Sequence, residues 1–339
     1  MKGFPVQILH ALWLMLFLLA VAPFRSAAEP LRIVRAAAPP EGLLALPLLR
    51  MTGTQPLLDQ GMRIEFVPWS NQEQLRAVVL SGRADVVSLH TVGAAVMHSR
   101  GVPLRMLGLS MGNVLHVLTS HPDIRSLSDL QGMTVAIPFK GELPDILFRT
   151  LLNKSAAVPP GSVHIRYASS SRDSANLLAG GRVEAALVAE PHSSILLQKA
   201  GRDGIPELFD SVDLQQAWNQ LCGSEMPLPA AGVAALGEFS GNEPQLESFW
   251  QAYAEAVHWC MQHPEKAAGL SVSSGETAAV QGAVRAIQTS LIAPVTACAA
   301  HEWIERFIAV FREADPAGYG DLHPEDSFFW PDHHSVESE

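Results

Sequence analysis

The chain has 339 residues, 48% of them hydrophobic and 17% charged, with a formal net charge of −11. That length and apolar share allow two packed lobes and exclude a disordered polymer. The acidic balance, with no basic cluster to offset it, excludes a phosphate backbone as a natural partner, so no nucleic acid is expected.

Lys2 opens a basic start, residues 8–22 (ILHALWLMLFLLAVA) form an apolar run, and small residues Ser26 and Ala28 follow. This is the layout of a secretory signal peptide over 1–28, and the run is short for a bilayer span. Cleavage after Ala28 removes Lys2 and Arg25, which takes the net charge to −13. No cysteine follows for lipid attachment, so a soluble, exported protein is expected.

After Pro30 the pattern alternates. Strands are expected at 31–38, 62–69, 84–89 and 104–110, and helices at 41–53, 71–82 and 91–101. Ser70 and Glu73 have the spacing of a capping box for the second helix. The order repeats with strands at 133–138, 163–169 and 183–189. Helices are expected at 144–154, opened by Pro144, at 172–181 and at 191–200. Such alternation means parallel sheets with right-handed crossovers. LSGRADVVSL (80–89) echoes AGGRVEAALV (179–188) at an offset of 99 residues, with Gly82 matching Gly181 and Asp85 matching Glu184. Two similar α/β lobes are therefore expected.

The apolar strand 114–119, broken by Pro122, is read as the first crossing between lobes, and 230–236 as the return. A hinge is expected near 119–122 and 230–232. From Asn242 onward the chain reads as helical, at 244–264, 276–290 and 299–313, with a polar, disordered tail at 333–339. The expected division is lobe 1 from 31–119 and 231–315, lobe 2 from 120–230, and a partly disordered extension at 316–339. Cys222, Cys260 and Cys298 are too few for a disulfide scaffold; two of them paired and three free thiols both remain open.

The stretches VLSGRADVVSLHT (79–91), SLSDLQGMTVAIP (126–138), LLAGGRVEAALVAEP (177–191) and FWQAYAEAVHWCMQHPEKAAGL (249–270) carry a resemblance over 31–315. The chain resembles periplasmic substrate-binding proteins of ABC importers, in the group of the thiamine-precursor (NMT1/THI5-like) and aliphatic-sulfonate binding proteins. The resemblance implies an α/β fold of the type II periplasmic binding protein kind: two lobes, a two-strand hinge and a ligand cleft between. It implies solute capture without catalysis or cofactor, a periplasmic location, a monomer, and a permease partner in the inner membrane. It implies a pyrimidine or sulfonate-like solute without choosing between them. Related proteins also often carry an acid–proline pair where Glu190–Pro191 stands.

Independently, ligands of doubly wound sheets bind beyond the carboxyl ends of the strands, where helix N-termini converge. The turns expected at the cleft are 39–42, 69–71, 90–92, 110–113, 139–145, 169–171 and 190–192. Trp69 offers a flat stacking surface there or packs between strands, with Ser70 beside it. Phe139, Lys140, Gly141 and Glu142 form a turn where a ring stacks, a cation offsets charge and a glycine lets backbone approach. His90, Thr91 and Asn113 fall on neighbouring turns. Glu190 accepts from a ligand amine or simply favours a helix start, and His192 follows it.

Other readings stay open. His90, His116 and His192 with nearby carboxylates allow metal or metal-chelate binding, although no metal-ligand spacing supports it. An enzyme on this fold, of the pyrimidine-precursor synthase kind, uses a cysteine-rich motif that this chain lacks. No Walker-type loop or Gly-x-Ser-x-Gly elbow occurs. A ligand-sensing role at a membrane receptor has the same sequence signature. Asp85 and Glu184, at strand starts, are expected to be structural.

Overall fold

The computed structural model describes residues 31–40, 42–272 and 276–331. The expected signal peptide and the tail 333–339 lie outside the described residues. The chain opens with β1 (Arg32–Ala38), α1 (Leu46–Thr54), β2 (Met62–Pro68), α2 (Gln72–Leu80), β3 (Val86–His90), α3 (Thr91–Ser99) and β4 (Leu104–Met111). It continues with β5 (Leu115–Thr119), β6 (Thr134–Pro138), α4 (Leu143–Lys154), β7 (His164–Ala168), α5 (Ser171–Ala179), β8 (Ala185–Ala189), α6 (His192–Lys199), β9 (Phe209–Val212) and α7 (Leu214–Cys222). The last part holds β10 (Ala231–Leu236), α8 (Glu243–Gln262), α9 (Pro264–Ser271), α10 (Thr277–Ser290), β11 (Leu291–Thr296), α11 (His301–Ala314) and α12 (Pro316–Tyr319).

These elements build two sheets, ordered β11-β4-β10-β3-β1-β2 and β7-β6-β8-β5-β9. In each, one strand carries two parallel neighbours, β1 between β2 and β3 and β6 between β7 and β8. The middle strands are apolar because helices cover both faces: every residue of β5 and of β10 is buried. The result is a two-lobe α/β fold, as the alternation and the resemblance imply.

The 99-residue echo is a structural repeat. Gly82 and Gly181 both take φ of 63° after α2 and α5. Asp85 accepts from the Arg35 backbone N–H at 2.8 Å, and Glu184 accepts from that of Thr134 at 2.8 Å. In both lobes an acid at the start of the third strand thus clasps its parallel neighbour, which is the structural role expected for this pair.

Several expectations need correction. Strand β5 pairs with β8 and β9 and belongs wholly to the second sheet. The chain therefore crosses at 112–114, not at 119–122, because an apolar run records burial but not which sheet buries it. The helix at 301–314 does not stay with lobe 1: Trp218 and Phe307 meet edge to face at 5.5 Å, and Lys154 pairs with Glu313 at 2.9 Å. A third crossing thus ties α11 to the second lobe. The expected C-terminal extension is packed through 331, with Phe328, Phe329 and Trp330 at most 2% exposed. The cap of α2 is Asn71, which accepts from Gln74 N at 2.9 Å, while Gln74 Oε1 accepts from Ser70 N at 2.8 Å. The capping pair is thus shifted one residue from Ser70 and Glu73.

The first lobe is anchored by α8, whose Leu246, Phe249, Trp250, Tyr253, Val257 and Cys260 are buried against the sheet. Burial pushes the Tyr253 hydroxyl pKa up to about 12, and it shares a 2.8 Å hydrogen bond with Ser110. No disulfide joins Cys222, Cys260 and Cys298. Among the described residues no helix is long and apolar enough to cross a membrane.

Candidate functional site between the lobes

The lobes meet along α6 and α10. Gly282 on α10 lies against Ile195 on α6, and Lys199 Nζ reaches Glu276 Oε1 at 2.8 Å just before α10 begins. Beside this contact a crevice of ≈ 930 Å³ opens between the lobes. That volume is at the upper end of the range for small-molecule sites, about 300–1,000 Å³.

Lobe 1 contributes Pro39, Gly42 and Leu43 from the turn after β1, and Trp69 and Ser70 from the turn after β2. Lobe 2 contributes one face of α5, at Arg172, Ala175, Asn176 and Ala179, and one face of α6, at His192, Ile195, Leu196 and Lys199. Both sets repeat at helical spacing, so each helix turns one stripe to the gap. Helix α5 starts where Ser170 accepts from Asp173 N at 3.1 Å, and the Ser171 hydroxyl accepts from Ala189 N at 2.5 Å, fixing α5 to β8.

Polar groups interrupt the apolar walls: beside Ser70, Arg172 and Asn176 the lining holds His192 and the Lys199–Glu276 pair. Arg172 and Asn176 are exposed, one turn apart, and neither side chain has a hydrogen-bond or ion-pair partner among the described residues. The Ser70 hydroxyl is likewise open to the gap. A guanidinium with no ion-pair partner among the described residues, one turn from an amide and lining the same crevice as a hydroxyl, suits an anion bearing several acceptor oxygens.

Of the expected site residues, the crevice brings together Trp69, Ser70 and His192. Trp69 is only 7% exposed, and its Nε1 is buried without a partner among the described residues, so its ring is chiefly core. The others lie elsewhere. Thr91 is fully buried, its hydroxyl donating to the Pro229 carbonyl at 2.6 Å. His90, at the end of β3, is partly covered; burial pushes its imidazole pKa down, and a contact with the Ala230 backbone works the other way. The Asn113 carbonyl accepts from Ser290 Oγ at 2.6 Å, within the crossing.

The turn of Phe139, Lys140, Gly141 and Glu142 lines no part of the crevice. Phe139 takes a positive φ of 57°, Lys140 lies over the Tyr167 ring, and Gly141 N donates to Asp145 at 2.8 Å. Tyr319, from the C-terminal segment, reaches the Gly141 carbonyl at 3.4 Å. Glu190 is also turned away: its side chain is 1% exposed, accepts from Ser194 Oγ at 2.7 Å, and sits 3.2 Å from His116 Nε2. Pro191 follows through a cis peptide bond as the residue preceding α6.

Reasoning from turns missed Arg172 and Asn176, which sit on the flank of a helix. The signal was present in RDSANLLA (172–179), where two polar residues four apart alternate with two alanines. Among the described residues no group of three His, Cys, Asp or Glu could hold a metal ion. A second concavity, of ≈ 370 Å³, lies outside lobe 1 near Arg50 and Trp259, away from the interlobe gap.

Two α/β lobes flanking a solute-sized crevice define the architecture of periplasmic binding proteins. The profile of the NMT1/THI5-like family matches residues 58–267, more than half of the chain, and the chain belongs to that family. Among solved structures it is similar to an ABC transporter protein from Parabacteroides distasonis, at 16% identity and a TM-score of 0.72, covering 88% of this chain and 98% of that one. It is similar to the periplasmic aliphatic sulphonate binding protein SsuA from Escherichia coli, at 15% identity and a TM-score of 0.69, covering 88% and 97%. A putative periplasmic sulfonate-binding protein from Methylobacillus flagellatus KT shows 18% identity and a TM-score of 0.65, covering 91% and 94%. At these identities the likeness is one of fold. No curated protein sequence matches.

Proposed function

We propose that this chain is the solute-binding component of an ABC-type importer, and that it captures a small organic anion by bringing its lobes together. The single observation carrying the choice of an anion is Arg172, which lines the crevice with no ion-pair partner among the described residues, whereas the other two charged residues of the lining, Lys199 and Glu276, pair with each other. The fold neighbours described as sulfonate-binding proteins support the same direction. A neutral pyrimidine fits less well, because Trp69 keeps most of its ring in the core and offers little stacking face. The readings that accompany this one are a signal peptide, a periplasmic location, a monomer, an inner-membrane permease as partner, and binding without catalysis.

A thermal-shift screen tests the proposal, because only compounds that bind the folded state raise the melting temperature. The panel spans alkane- and arylsulfonates, carboxylates, pyrimidines and divalent metal ions. Organic anions are expected to stabilise the protein. Stabilisation by metal ions alone, reversed by a chelator, or by neutral pyrimidines alone, would end the anion reading.

A further inference from the structure

Four ionisable side chains run from the buried end of β8 across to the other lobe. Glu190, at the end of β8, accepts from both the backbone and the hydroxyl of Ser194 on α6, at 3.2 and 2.7 Å. His116 on β5 is buried between two acids, its Nε2 3.2 Å from Glu190 and its Nδ1 2.9 Å from Oδ2 of Asp210 on β9. Arg285 on α10, which packs with lobe 1, reaches that same Asp210 oxygen at 3.4 Å. Glu190 from β8, Asp210 from β9 and Arg285 from α10 are the charged groups acting on the imidazole.

We propose that His116 is a proton-controlled governor of lobe closure: when its imidazole is charged it competes with Arg285 for Asp210 and loosens the latch, and when neutral it leaves Asp210 to hold Arg285 and the lobes together. This rests on the reading of the crevice as one that closes on a solute, since the turn fixed by Glu190 carries Pro191 and His192 into that crevice.

The sign follows from counting charges. With His116 neutral, the Asp210 carboxylate faces Arg285 with its charge uncancelled, and the attraction across the gap is greatest. A proton on His116 offsets that charge and sets a second cation on the oxygen that Arg285 uses. Two like charges sharing one partner repel, and the repulsion is relieved when α10 withdraws. Arg285 correspondingly lowers the affinity of His116 for its proton, so parting the lobes raises it. Within the whole fold the balance has the other sign. Burial lowers the His116 pKa, but the hydrogen bond to Asp210 and the charges of Glu190 and Asp210 outweigh it, and the net shift is upward. Protonation therefore supports lobe 2 while it weakens the contact between lobes.

Two measurements on the full chain test this without any solute. The first places spin labels, as non-natural amino acids, at the exposed Leu80 of lobe 1 and Arg202 of lobe 2. Electron–electron distances are compared at about pH 6 and about pH 9.5, a window carried upward because Glu190 and Asp210 raise the His116 midpoint above that of an ordinary histidine. The closed-to-open ratio is expected to rise about threefold or more with pH, the lower bound set by water-like screening. The response should vanish in His116→Gln. The second follows the His116 ring by NMR in the native chain and in Arg285→Met. That variant leaves the buried pairs intact, so its fold does not depend on the histidine substitution. The His116 midpoint is expected to move upward in Arg285→Met. Distances that ignore pH in the native protein, a pH response surviving in His116→Gln, or a midpoint that stays or falls in Arg285→Met would each overturn the proposal. If no organic anion binds but these shifts occur, the solute reading fails and the governor stands. If an anion binds and the lobes ignore pH, the reverse holds.

Discussion

Gly282 on α10 sits directly against Ile195 on α6. A Cβ at position 282 would lie 2.6 Å from Ile195 Cγ1 and 2.7 Å from its backbone N and Cα. Because backbone atoms are the obstacle, a rotamer change cannot make room, and the helices must separate. Gly282→Val is therefore expected to cost about 1–3 kcal/mol, the usual range for overpacking. It should also widen the molecule, because α6 and α10 belong to different lobes. Melting and small-angle scattering check this together. An unchanged scattering profile with a lowered melting point would mean that the strain is absorbed within one lobe.

The C-terminal segment is a strap across the edge of the first sheet. Trp330 donates Nε1–H to Glu243 at 2.9 Å and its backbone N–H to Met106 at 3.0 Å, and its carbonyl accepts from Cys298 N at 3.1 Å. Its ring lies 6.1 Å from that of Trp250 and is 2% exposed. Trp330→Ala should lower the unfolding free energy by about 3–5 kcal/mol, as for other fully buried aromatics. Urea titration reads this directly; a loss well under that range would show that the strap is peripheral to folding.

Much of the fold was legible because most strands are short apolar runs bounded by glycine, and the helices between them begin at recognisable caps. The missed elements lack that signature. Strand β9, FDSV, carries Asp210 in its middle, since that acid faces His116 and Arg285 rather than the core. Strand β11 holds Pro294, which falls within a register shift against β4. The site was legible only where a turn itself faces the gap, as at Trp69, Ser70 and His192. Glu190 misled because its turn points into the crevice while Ser194 and His116 hold its carboxylate inside. Nothing in the local sequence of 190–192 announces a histidine seventy-odd positions earlier as the partner.

The repeated acid clasp has a pH signature in lobe 2. The hydrogen bond from Thr134 N holds the Glu184 carboxyl pKa below its usual value, more than burial raises it. A lowered folded pKa contributes stability that is present above the unfolded value and is lost as pH falls through the folded one. Glu184→Gln keeps an acceptor for Thr134 but cannot titrate. The fall in melting temperature on acidification below about pH 4.5 should accordingly be shallower in this variant than in the native chain. Parallel acid limbs in the two proteins would remove Glu184 from the account.

Arg172 decides whether the crevice grips an anion by charge. Its side chain is exposed and has no partner among the described residues, so Arg172→Gln should leave the melting temperature of the free protein within error. The amide keeps two donors but not the charge. For whichever organic anion stabilises the native protein most, the affinity should fall by about tenfold or more, the scale of a charge-assisted hydrogen bond. Added salt should weaken binding less in the variant than in the native chain, since the screened charge is gone. Calorimetric titrations at two ionic strengths provide both numbers. Equal affinities in the two proteins would mean that the anion is held by Ser70, Asn176 and helix ends alone, and the charge on α5 would then serve some purpose other than gripping the solute.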